Sequence, residues 1–66
     1  MEHYRIYPVA PDGRIVSGSS VNCETEDEAF HQAADLIGEH AGVEVWRGAT
    51  QIGRFTAVEI ARYRRR

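Results

Sequence analysis

The tetrapeptide Thr25-Glu26-Asp27-Glu28 constrains the fold of this chain more than any other feature. A threonine three residues ahead of a glutamate forms a capping box: its hydroxyl accepts the amide of residue 28, and the Glu28 carboxylate returns to the amide of Thr25. A helix starts here, and acids in its first turn suit the positive end of the helix dipole. Downstream, Ala29, Phe30, Ala33, Leu36 and Ile37 recur at helical spacing and leave Glu28, His31, Gln32, Asp35 and Glu39 on the opposite face. Gly38 or Gly42 ends the helix. An amphipathic helix of this kind lies on a flat apolar surface, which the rest of the chain must supply.

The segments on either side read as hairpins. Tyr4 to Val9 is rich in residues that favour a pleated, half-buried surface. Pro11-Asp12-Gly13 then makes a turn: proline presets φ, aspartate bonds the neighbouring backbone, and glycine accepts positive φ. A second strand runs from Arg14 through Val16 toward Val21, weakened by Gly18 and three serines into a bulge or an edge. After the helix, Val43-Glu44-Val45-Trp46-Arg47 alternates at period two, as does Gln51 to Ala57 beyond a Gly48-Ala49-Thr50 loop. Pairing Arg47 with Gln51 sets Trp46 opposite Ile52, Val45 opposite Gly53, Glu44 opposite Arg54 and Val43 opposite Phe55, which aligns one opposite-charge pair and two apolar pairs.

The expected fold is therefore α+β, a single β-β-α-β-β domain over residues 1–61 with a four-stranded, mainly antiparallel sheet and one helix on one face. The strand order 2-1-3-4 keeps every neighbour antiparallel. Tyr4, Ile6, Val16, Val43, Val45 and Phe55 are expected beneath the helix, and Tyr7, Val9, Ile15, Trp46, Ile52, Glu44 and Arg54 on the other face. An uncovered face with large apolar residues marks an interface, which makes Tyr7, Ile15, Trp46 and Ile52 the candidate interface. Thr56-Ala57-Val58-Glu59 is a second capping-box candidate, and a short helix there would pack Val58, Ile60 and Tyr63 back on the chain.

Size sharpens the expectation of a partner. A chain of 66 residues buries only about 60% of the surface it exposes when unfolded. Reinforcement comes from disulfides, metals or self-association. Cys23 is the one cysteine, so no intrachain disulfide forms, and His3, Cys23, His31 and His40 are scattered singly rather than at zinc-ligand spacings. Self-association is left, and a homodimer is expected with no cofactor. The start carries no signal-peptide pattern and the chain no apolar run of spanning length, which with a single cysteine gives a cytoplasmic expectation and no membrane partner.

Residues 1–61 carry four arginines against ten acids, a balance of −6, and Arg62, Arg64, Arg65 and Arg66 return +4. This Arg-rich tail, residues 62–66, is the segment suited to polyanions, because guanidinium forks pair with phosphate and Tyr63 can stack on a base. Nucleic-acid contact through the tail is thus the alternative function, opposed by the acidic body. Glu28, His31 and Asp35 share a helical stripe that reads as a solvated face, and Cys23 reads as a small buried hydrophobe. With no phosphate loop, nucleophile elbow or triad order, no enzyme is expected.

The segments YRIY, PDGRIV, CETEDEAF, VEVW and IGRF together resemble a group of short uncharacterised bacterial proteins with a Y-R-x-Y hairpin, a D-E-A helix start and a V-E-x-W hairpin. The resemblance covers residues 4 to 55 and implies the same fold, without an activity. The Arg-rich extension departs from that pattern.

Overall fold

Turn chemistry and capping determine where each element begins. The computed structural model describes residues 1–64 and contains strands β1 (Glu2–Val9), β2 (Ser19–Cys23), β3 (Gly42–Arg47) and β4 (Thr50–Thr56), with helix α1 (Glu26–Leu36) between β2 and β3. A short helix α2 (Ala57–Ile60) and one 3-10 turn, Ala61–Tyr63, follow β4. The strands make one antiparallel sheet in the order β2-β1-β3-β4, so the α+β fold and its strand order are those expected.

The first hairpin closes around the three residues Pro11-Asp12-Gly13. The Ala10 amide donates to the Arg14 carbonyl at 2.9 Å, the Gly13 amide to the Ala10 carbonyl at 2.9 Å, and the Asp12 carboxylate accepts the Arg14 amide at 3.0 Å. Gly13 sits at φ 88, where a side chain would be strained. Val9 bridges Ile15, yet regular pairing resumes only at Ile6 with Ser19. The pair numbers sum to 24 at the first position and 25 at the second, so one extra residue is accommodated between them. A one-residue slip turns every later side chain to the opposite face. Val21 and Cys23 thereby join Tyr4 beneath the helix, and Val16, expected in the core, is 49% exposed.

The Thr25 hydroxyl accepts the Glu28 amide at 3.1 Å and starts α1. Gly38, at φ 57, lies just past its C-cap Ile37. Ala29, Ala33, Ala34 and Ile37 are buried, and Leu36 is left 38% exposed. The small alanines let the helix approach the sheet, where it covers Tyr4 and Ile6 of β1 and Val43 and Val45 of β3.

The second capping box is complete. The Glu59 amide donates to the Thr56 hydroxyl at 3.2 Å, and the Thr56 amide donates to the Glu59 carboxylate at 2.8 Å. It starts α2, which delivers Ile60 into the core with no exposed surface. Tyr63 reaches the rings of Phe30 on α1, at 5.3 Å, and Phe55 on β4, at 5.9 Å. The C-terminal segment therefore lies beside α1 on the same side of the sheet and, among the described residues, leaves the second face bare. The packed body extends past residue 61 to Tyr63, and Val58, expected to pack inward, is 86% exposed.

Candidate interaction surface

Alternation along the strands builds the bare face from residues whose neighbours in sequence are buried. On β1, Arg5 and Tyr7 alternate with Tyr4, Ile6 and Pro8; on β3, Glu44 and Trp46 alternate with Val43 and Val45. The register brings them side by side, with Arg5 next to Trp46 and Tyr7 next to Glu44. Arg54 lies opposite Glu44 from the other side and Gln51 opposite Trp46. The indole of Trp46 donates to the Glu44 carboxylate at 3.0 Å, which fixes the ring's orientation over β3. His3 and Asn22, bonded at 3.1 Å, extend the face toward the N-terminus.

Three of the four expected interface residues meet here. Tyr7 and Trp46, both half-buried, occupy the two central strands, and Ile15, 50% exposed, sits at the margin through its bridge to Val9. Tyr7 is seated on the hairpin: a Cβ on Gly18 would lie 2.8 Å from its ring. Ile52 does not belong to this face. The second hairpin has a two-residue Gly48-Ala49 turn with Gly48 at φ 60 and pairs Arg47 with Thr50 and Trp46 with Gln51, so Ile52 is the extra residue of a bulge and packs against the core. A first turn residue at positive φ matches strand twist in a two-residue hairpin, and the bulge recovers the apolar side chain for the interior. The lower half of the expected register, Val45 with Gly53 through Val43 with Phe55, is as expected.

Glu44 and Arg54 share the face with the two aromatics, as the register predicts, and Arg5 joins them through its alternation with Tyr7. The acids of α1 lie in the opposite layer, where Arg47 pairs with Glu26 at 3.0 Å.

Arg62 and Arg64 are exposed, but Tyr63 is engaged with Phe30, Phe55 and the His31 ring, at 5.7 Å from the last, rather than presented to a base. Arg65 and Arg66 lie outside the described residues. His31 bonds the Tyr63 carbonyl through Nδ1 and meets Asp27 through Nε2 at 3.2 Å, so it joins α1 to the C-terminal segment instead of forming a stripe with Glu28 and Asp35. Among the described residues no three ligating side chains converge on a metal position. Cys23 is 2% exposed. The Glu59 carboxyl is held below its ordinary value by the Thr56 amide first, then by the Thr56 hydroxyl and Arg62. An open groove of about 370 Å³ at one end of the sheet is lined by Val9, Val43 and Phe55 together with Arg54 and Glu59. No described helix is long and apolar enough to cross a membrane.

Comparison of the chain with protein families, curated proteins and solved structures found no match to any of them.

Proposed function

We propose that this chain is a non-enzymatic, homodimeric protein-interaction module that works through the sheet face left bare by its helical layer. One observation carries the reading: Tyr7 and Trp46 stand on the two central strands of that face, with Ile15 at its margin, while α1 and the C-terminal segment both pack on the other side. Two large aromatics at the centre of a surface, ringed by arginine, glutamate and amide side chains, have the composition of an interface core and its polar rim. The small size of the domain adds a reason for association, because one core layer gives limited stability by itself.

Analytical ultracentrifugation at micromolar concentration tests the proposal. Wild type is expected to sediment as a dimer, and Trp46→Glu as a monomer with unchanged far-UV circular dichroism. A wild type that stays strictly monomeric overturns it.

A further inference from the structure

The homodimer reading leaves open how two copies meet, and the register of the central strands supplies a geometric constraint. A twofold interface is isologous: if residue i of one copy meets residue j of the other, then j meets i as well. Face-to-face sheets keep their strands within about 30° of alignment, some 10 Å apart. An axis parallel to the strands and midway between β1 and β3 exchanges those two strands between copies. Residues that are lateral neighbours within one sheet then face each other across the interface.

Those lateral neighbours are Arg5 with Trp46 and Tyr7 with Glu44. We infer that the second copy docks about this axis, with Arg5 stacked on the partner's Trp46 and the Tyr7 hydroxyl donating to the partner's Glu44, each contact made twice. Both pairings are chemically matched. A guanidinium over an indole face is the favourable cation–π geometry, with tryptophan the best acceptor. The Glu44 carboxylate accepts one bond from Trp46 in its own chain and, as a carboxylate with about four acceptor positions, has capacity for a phenol. An axis perpendicular to the strands would instead set Glu44 against the face of the partner's Trp46, carboxylate against the negative side of the ring quadrupole. A standard interface takes roughly 800 Å² from each partner, under a fifth of the 4359 Å² the chain exposes.

The arrangement rests on the homodimer reading and is tested separately from it by complementation. Arg5→Ala and Trp46→Ala chains, each alone, are expected to dimerise about tenfold or more weakly than wild type, since each loses both copies of the contact. A one-to-one mixture restores one complete pair, Arg5 from one chain on Trp46 from the other. With one variant fluorescently labelled, sedimentation should show the mixed dimer forming more tightly than either variant by itself. Tyr7→Phe mixed with Glu44→Ala should show the same recovery, and serves where circular dichroism shows Trp46→Ala to be unfolded. No recovery in the mixtures, with wild type dimeric, overturns this axis alone; a monomeric wild type overturns the homodimer as well.

Discussion

Gly53→Ala is the substitution whose cost follows most directly from the packing. Gly53 faces the core opposite Val45, and a Cβ built there would lie 2.7 Å from Cε2 of Phe55 and 3.1 Å from Cζ of the same ring and Cε1 of Phe30. Carbon atoms pack best at about 3.5–4.0 Å, so the Phe55 ring must move by nearly an ångström. It cannot move alone, because it packs edge-on against Phe30 at 5.2 Å and against Tyr63 at 5.9 Å. Overpacking of this kind costs about 1–3 kcal/mol, from which the easier ordering of alanine returns about 0.5–1 kcal/mol. The net loss is up to about 2.5 kcal/mol, a substantial part of the total of roughly 3–10 kcal/mol for a chain of this length. In urea, with a slope near the lower limit of about 1 kcal/mol per molar, the midpoint should fall by up to roughly 2.5 M at fixed protein concentration. Phe55→Leu supplies the control, since it removes the aromatic edge that the new methyl strikes. Gly53→Ala should then be neutral or slightly stabilising in that background. An equal loss in both backgrounds would refute the reasoning and place the cost outside the Phe55 ring, in the Phe30 contact or the backbone.

The C-terminal segment gives two further expectations. Ile60→Ala removes a side chain with no exposed surface and should cost about 2–4 kcal/mol in urea denaturation, whereas Val58→Ala, on the exposed side of the same helix, should change stability by less than about 0.5 kcal/mol. The Glu59 carboxyl lies below its ordinary value in the folded chain because Thr56 hydrogen-bonds its ionised form. A folded value below the unfolded one means that the cap contributes in full above the ordinary carboxylate range and is lost as pH falls through the lowered folded value. Glu59→Gln should therefore unfold more readily than wild type near neutrality and converge with it under strongly acidic conditions; a constant difference across that range would remove the carboxylate from the account.

The sequence by itself determined the local structure. A hydroxyl at the right spacing capped both helices, at Thr25 and Thr56, with the returning carboxylate of Glu59 completing the second box; Pro11-Asp12-Gly13 closed the first hairpin; alternation put Tyr7 and Trp46 on one side and Tyr4, Val43 and Val45 on the other. These are effects between residues a few positions apart, so they are legible without the fold. Tertiary structure decided what depends on distant partners. One extra residue between Val16 and Ser19 and another at Ile52 reset the alternation so that Val21, Cys23 and Ile52 reach the core, while Val16, ahead of the first slip, is 49% exposed. Strict period two cannot register such slips, because whether a bulge forms depends on the apolar surface waiting across the sheet. The same holds for Tyr63, whose place among Phe30, Phe55 and His31 closes the helical layer and leaves the opposite face, with Arg5, Tyr7, Glu44 and Trp46 in two matched rows, bare.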